Sequence, residues 1–349
     1  MFTGLGLAPL VLIFGVAAAA VWIAGTQLAN STDALDFRLG FGEALGGAVF
    51  LAVATNLPEI AITSSAALAH NLGIAIGNIL GGIAIQTVVL VVLDVAMGRE
   101  SALTTRAASL VLVLESMLVV TVLGISVMGA QLSSSQGRFE PAAVLIALTW
   151  LIGVWLINRA RHGLPWHDSS GNAPGAQEKP LGHSKAVLAE KMSLARATTV
   201  FAVAGVVTLA AGVVLERTGE GIATHVGLSG VVFGATILAL ATSLPELSTG
   251  IRSVRLGDYQ LAVSDIFGGN AFLPVLFLVA SLLSGSAVLP QAQPTDIYLT
   301  ALAIVLTVVY AWGLVMRPHR QVLRMGIASL VVLVLYVAGI AGLVGVASR

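Results

Sequence analysis

Two short stretches of this sequence carry residue types that can hold or move charge. The first reads Ala54-Thr55-Asn56-Leu57-Pro58-Glu59 and leads through an apolar run into Gly77-Asn78-Ile79-Leu80-Gly81-Gly82. The second reads Ala241-Thr242-Ser243-Leu244-Pro245-Glu246 and leads into Ser264-Asp265-Ile266-Phe267-Gly268-Gly269. They are one motif written twice, at an offset of 187 residues that also pairs Gly47 with Gly234, Ala52 with Ala239 and Ala84 with Ala271. A proline at position i removes the amide that would bond the carbonyl at i−4, and its ring disturbs the same turn. Pro58 therefore frees the carbonyl of Ala54 and loosens that of Thr55, and Pro245 does the same to Ala241 and Thr242. Free carbonyls in hydrocarbon are costly unless something satisfies them, and a cation can. Glu59 lies four residues after Thr55, on the same helix face, and Glu246 stands likewise to Thr242. Brought together, the two faces make an oxygen cage of two carboxylates, several carbonyls and the side chains of Thr55, Asn56, Thr242 and Ser243. Hard cations such as Ca²⁺ and Na⁺ take oxygen ligands.

The elements that must position these residues are membrane helices. Apolar residues make up 57% of the chain and charged ones only 10%, where a soluble domain carries about a quarter charged residues. The mean hydropathy is +0.97. A formal net charge of zero gives no basic field for nucleic acid, and the absence of cysteine excludes disulfides and thiolate metal sites. A spanning helix needs about 20 apolar residues. Ten stretches qualify: 9–29, 42–69, 72–97, 104–128, 141–158, 198–216, 228–253, 258–284, 295–316 and 323–347. The first follows Met1 with no basic region and no clear cleavage site, so it reads as a retained helix. Arg159 to Lys191 is the one long polar segment, rich in Pro, Gly and Ser, and reads as a flexible linker. Its irregularly spaced His162, His167 and His183 read as solvated. The linker is too short for a calcium-sensing domain. The expected division is a first membrane unit over 1–160, a linker over 161–196 and a second membrane unit over 197–349.

Orientation follows from Lys and Arg in alternate loops. The loops after helices 1, 3, 5, 7 and 9 hold 14 of them, and the other side holds 3, namely Arg138, Arg217 and Arg349. This places the linker in the cytoplasm and both termini outside. Five helices per half is odd, so the halves insert in opposite directions. The expected fold is an all-α membrane protein of ten helices in two inverted repeats, with helices 2 and 7 broken. A duplicated, proline-interrupted membrane segment of this kind points to a transporter binding site at mid-membrane, worked by alternating access.

The T-[SN]-L-P-E motifs, each followed by G-N or S-D and a Gly pair, resemble the two alpha-repeats of the cation/calcium exchanger superfamily, most closely its sodium/calcium exchanger branch. The likeness covers nearly the whole chain outside the linker. It implies that Glu59 and Glu246 bind Ca²⁺ and Na⁺. It also implies further oxygens from Thr55, Asn56 and Ala52 in one repeat, and from Thr242, Ser243 and Ala239 in the other. The chain departs from the pattern in three ways. The serine usual after the first Gly of each pair is Gly82 and Gly269. The polar residue expected 27 positions after each Glu is Gln86 in one half and Leu273 in the other. Asn56 replaces the usual serine. These changes keep the cage but thin its walls.

Further polar residues have competing readings. Asn78 and Asp265 are equivalent; they either bond carbonyls loosened by the breaks or, for Asp265, add charge to the site. Glu115 in helix 4 reads as a helix-pairing residue, with a proton relay as the alternative. Asp94, Glu43 and Glu216 lie near helix ends and read as snorkelling groups. One intramembrane Glu can be inert, but two in identical motifs point to function. The function expected is a secondary antiporter that exchanges Ca²⁺ for Na⁺ or H⁺ and binds no cofactor; its partners are inorganic cations and lipid. We read the host as a bacterial-type plasma membrane and a monomer as sufficient. An intramembrane hydrolase with paired carboxylates is the rival. Yet the only G-D, Gly257-Asp258, follows Arg255-Leu256 rather than G-x, and neither H-E-x-x-H nor D-D-x-x-D occurs. A Glu-lined cation channel is a third reading.

Overall fold

Apolar length decides where this chain becomes helical across a membrane. The computed structural model describes residues 4–39, 52–98, 101–132, 140–162, 192–318 and 320–347. Among these, eight helices are long and apolar enough to span. They are α1 (Leu7–Leu39), α3 (Leu72–Met97), α4 (Leu110–Ala130), α5 (Pro141–His162), α6 (Leu194–Val226), α8 (Tyr259–Ser284), α9 (Pro294–Met316) and α10 (Ile327–Ala347). A ninth span, α7, is a bent pair, Gly230–Thr242 and Leu244–Arg255, with 44° between its halves. The second expected span is described only from residue 52. Residues 52–55 are helical, and α2 (Leu57–Leu68) follows; residues 42–51 and Glu43 lie outside the described residues, as does most of the expected linker.

Burial sorts the helices into a core and a shell. α3 is apolar on all sides and is the most buried span, with α8 next. α2 and α7 pack on this pair, while α5 and α10 turn most of their surface outward. α1 and α6 are each 33 residues long. At about 1.5 Å per residue they reach roughly 50 Å, well past the ~30 Å of hydrocarbon, so they cross obliquely or project beyond it. They lie along one another in the broadest helix contact of the molecule. Both outrun the expected spans, because polar turns such as Glu216-Arg217 and Glu220 continue the helix.

Two buried carboxylates tie the loops to this frame. Asp94, at the end of α3, accepts the Leu103 amide at 2.6 Å and the Gly326 amide at 2.7 Å. Glu140, at the start of α5, accepts the Val288 and Leu289 amides, both at 3.0 Å, and the Ser281 hydroxyl at 2.7 Å. Asp94 is therefore no snorkelling group: its side chain is fully buried and caps backbone from both halves of the chain. Glu216 is also fully buried, and accepts Ser65 Oγ of α2 at 2.9 Å and Arg217 Nε at 3.1 Å. Glu115 pairs with a helix as expected, accepting Ser264 Oγ of α8 at 2.9 Å. The last expected helix starts later than residue 323. Gln321–Val322 and Met325–Gly326 form a two-stranded hairpin before α10.

The clamp gives a stability prediction. Asp94→Ala leaves two buried amides without an acceptor, at about 1–3 kcal/mol each. Purified Asp94→Ala protein should unfold in detergent well below the wild type in a thermal scan, and Asp94→Asn, which keeps one acceptor, should fall between them. A wild-type transition for Asp94→Ala would contradict the clamp.

Candidate cation site

The broken helices repeat one another residue for residue. Helix 52–55 stops at Asn56 (φ −85°, ψ 13°) and resumes with Pro58 in the first turn of α2. α7 stops at Ser243 (φ −81°, ψ 4°) and resumes with Pro245. Proline is tolerated in a first turn, where its missing amide has no helical partner to lose. The hydrogen bonds around the breaks match as well. Ala52 O accepts Asn56 N at 3.3 Å, Asn56 Nδ2 at 2.6 Å and Thr55 Oγ1 at 3.3 Å. Ala239 O accepts Ser243 N at 3.0 Å, Ser243 Oγ at 2.8 Å and Thr242 Oγ1 at 3.1 Å. The breaks are thus held by their own side chains, and in this state the carbonyls of Ala52 and Ala239 are occupied. Upstream of the second break, Gly234–Leu238 winds as a π-helix, a local widening that often marks functional sites.

The carboxylates are different. Glu59 and Glu246 are fully buried, and none of their four oxygens has a hydrogen-bond partner among the described residues. The Thr242 side chain faces Glu59 across the two halves. That hydroxyl also reaches Ala239 O at 3.1 Å. Glu246 lies near enough to Glu59 and Asp265 for their charges to act on it. Two carboxylates are thus buried near one another without a hydrogen-bond partner among the described residues, an arrangement that a cation or protons make favourable.

The walls come from α3 and α8. A Cβ on Gly81 would collide with Ala235 Cα, and one on Gly77 would lie 2.8 Å from Val231 O, so α3 meets α7 backbone to backbone. Asn78 and Gln86 are fully buried, and neither polar atom of either side chain is bonded among the described residues. Asp265 Oδ2 accepts Thr249 Oγ1 at 2.8 Å, which turns that oxygen toward α7. Among the described residues no three acidic or histidine side chains converge as metal ligands. Asn270 is a buried polar residue of α8 that stands outside the motif. Its amide reaches two groups of α3, Ile83 O at 3.4 Å and Thr87 Oγ1 at 3.3 Å, and its Oδ1 has no partner among the described residues. The sequence signal was a lone amide in the apolar run after the second Gly pair.

Two of the departures from the family pattern touch. A Cβ on Gly269 would lie 2.8 Å from Asn56 Nδ2 and 3.4 Å from Gln86 Oε1. The larger amide of one half occupies the room that a serine at 269 would need in the other. One turn away along the same faces of α3 and α8, Gly82 faces Leu273 Cδ1, 3.3 Å from its would-be Cβ. The two equivalent contacts thus differ, amides meeting one glycine and hydrocarbon the other.

Each half also closes over the other. Gly25 of α1 abuts Pro245, whose Cγ would be 2.5 Å from an added Cβ. Gly212 of α6 abuts the Pro58 turn, with Ala61 Cβ at 2.7 Å and Pro58 O at 3.1 Å.

A helical bundle in which two proline-broken helices bury paired carboxylates defines a transmembrane protein built to handle cations. The comparisons give the family. The profile of the sodium/calcium exchanger protein family matches residues 9–157 and 196–342, and the chain belongs to that family, a family of cation antiporters. The unmatched stretch between them contains the polar segment. The chain is 27% identical over 278 residues to inner membrane protein YrbG of Escherichia coli, covering 79% of this chain and 80% of that one. It is 27% identical over 226 residues to the putative antiporter CaxA of Alkalimonas amylolytica, covering 65% of each. Among solved structures, the H⁺/Ca²⁺ exchanger CAX superposes with a TM-score of 0.65 at 13% identity, over 96% of this chain and 88% of that one. The sodium–calcium exchanger NCX_Mj superposes with a TM-score of 0.60 at 16% identity, over 95% and 97%. At such identities the likeness speaks for the fold.

The contact between Asn56 and Gly269 is testable by a double-mutant cycle. Gly269→Ser should overpack the wall, costing about 1–3 kcal/mol. Asn56→Ser together with Gly269→Ser should recover most of that loss in thermal stability. Additive effects would mean that the two side chains do not share the space.

Proposed function

We propose that this protein is a secondary antiporter that exchanges Ca²⁺ for protons or Na⁺ by alternating access at a mid-membrane site built on Glu59 and Glu246. One observation carries the reading: four buried carboxylate oxygens, two from each broken helix, without a hydrogen-bond partner among the described residues. Two carboxylates in a low-dielectric interior require about two positive charges. One Ca²⁺ supplies them, and so do two protons. The site is neutral in either state, which is the condition for an exchanger to reorient with either cargo. Thr55, Thr242, Ser243, Asn56 and Gln86 supply neutral oxygens, and Asn78 and Asp265 stand behind them. An engagement of Ala52 and Ala239 requires their side-chain donors to turn away.

Protons are the counter-ion that the walls favour. Leu273 cannot ligate, and Gly82 and Gly269 lack the hydroxyls of the family pattern. A full set of Na⁺ ions needs such oxygens, whereas a proton needs only the carboxylates. The ten-helix plan, its inverted halves, the external termini and the cytoplasmic linker belong to this proposal. Their support is the 187-residue repeat, the matched breaks and the charge asymmetry of the loops.

Three outcomes are expected. Glu59→Gln and Glu246→Gln should each abolish Ca²⁺ uptake into proteoliposomes while the protein remains folded; near-normal flux in either would move the site elsewhere. With the membrane potential clamped, an imposed pH gradient without Na⁺ should drive uptake, and Leu273→Asp should raise the response to a Na⁺ gradient. Uptake driven by Na⁺ alone in the wild type would refute proton coupling. Cysteines placed at Leu228 and Leu323 should label from opposite sides of the membrane, and labelling of both from one side would sink the topology.

A further inference from the structure

The link between α9 and α10 has features that a simple connection does not need. Arg317 leaves α9 in the left-handed region (φ 48°), its amide bonded to Gly313 O at 3.0 Å. The hairpin then pairs Gln321 with Gly326 and Val322 with Met325. Its two-residue tip is Leu323-Arg324, at φ 53° and 68°. Such tips favour Gly, Asn or Asp, and a branched or bulky side chain there is strained. The strain is held from beneath. Met325 and Gly326 are buried, Gly326 N is clamped by Asp94, and a Cβ on Gly326 would lie 2.7 Å from Ala102 Cβ.

The conformation held in this way presents a distinct surface. Leu323 stands 77% exposed at the tip, and Val322 beside it is exposed too. Arg317, Arg320 and Arg324 are all exposed, and none has an acidic partner among the described residues. Three guanidinium groups within eight residues of chain, without an acidic partner among the described residues, repel one another unless an anion joins them. On the membrane side, Trp312 and Met316 in the last turns of α9 are 68% and 79% exposed. Exposed Trp at a helix end marks headgroup depth. Along the chain, exposed apolar groups therefore precede the arginines at the end of α9 and stand among them at the tip. That order matches a phospholipid, with acyl chain below and phosphate above, and the planar guanidinium fork matches a phosphate.

We propose that this hairpin binds an anionic phospholipid of the surrounding bilayer. Arg317, Arg320 and Arg324 hold the headgroup, Trp312 and Met316 line the chain, and Leu323 dips into the interface. The lipid also has a mechanical route to the helix bearing Asn78, Gly82 and Gln86, because Gly326 bonds Asp94 at the end of α3. The site itself is independent of the transported cation.

The test is lipid retention by the full-length protein. Purified protein equilibrated with equal phosphatidylglycerol and phosphatidylcholine should keep phosphatidylglycerol several-fold in excess by native mass spectrometry. Phosphatidylglycerol should also raise its thermal transition in nanodiscs. Arg320→Gln with Arg324→Gln should lower the preference by roughly fivefold per arginine, with the transition in pure phosphatidylcholine unchanged. The paired Lys substitutions should retain part of the preference. If the double Gln variant does not fold, Arg320→Gln alone, at an exposed position, should show the single fivefold step. Equal retention of the two lipids by wild type, or an undiminished preference in the Gln variants, would overturn the proposal.

Discussion

A carboxylate does not remain bare in hydrocarbon, and the architecture of this protein answers to that constraint. Most buried acids here are satisfied in the ordinary way: Asp94 and Glu140 accept backbone amides, Glu216 accepts a serine and an arginine, and Glu115 accepts a serine. Glu59 and Glu246 stand apart because none of their four oxygens has a hydrogen-bond partner among the described residues. The helix breaks do not depend on an ion for their shape, since Thr55, Asn56, Thr242 and Ser243 satisfy the carbonyls at Ala52 and Ala239. The scaffold is therefore self-sufficient, and the charge balance is left to whatever arrives. Breaks with that division of labour keep their shape whatever the charge state of the carboxylates.

The walls are unequal although the motifs are duplicates. Asn56 and Gln86 meet Gly269, while Leu273 covers Gly82. The two motifs carry matching carboxylates, and unlike residues at contacting positions surround them with amides at one contact and hydrocarbon at the other. The contact between Asn56 and Gly269 shows that the departures from the family pattern are not scattered losses. A residue that grew in one half sits against one that shrank in the other.

The duplicated motif, its proline breaks and the apolar spans were legible in the sequence, because an offset of 187 residues and runs of about 20 apolar residues are one-dimensional signals. The features that escaped depend on chain segments meeting at a distance. Asp94 looked like a helix-end group because nothing local shows that Gly326 folds over it. The hairpin at 321–326 has strands of two residues and a Leu-Arg tip, so neither alternation nor a Gly-Asn signal marks it. The extra turns of α1 and α6 contain charged residues that an apolar-span criterion excludes. Asn270 has no polar counterpart in the first half, where Ile83 stands, and comparison of the repeats therefore passed over it.

Gly25 lies against the proline of the second half, and Gly212 against the proline turn of the first. Neither half seals its own break; each lends the other a helix trimmed of its side chain at the point of crossing. A side chain larger than hydrogen at residue 25 would press on Pro245, and one at residue 212 on the Pro58 turn, so what α1 and α6 can carry at those points is set by the break in the other half of the chain.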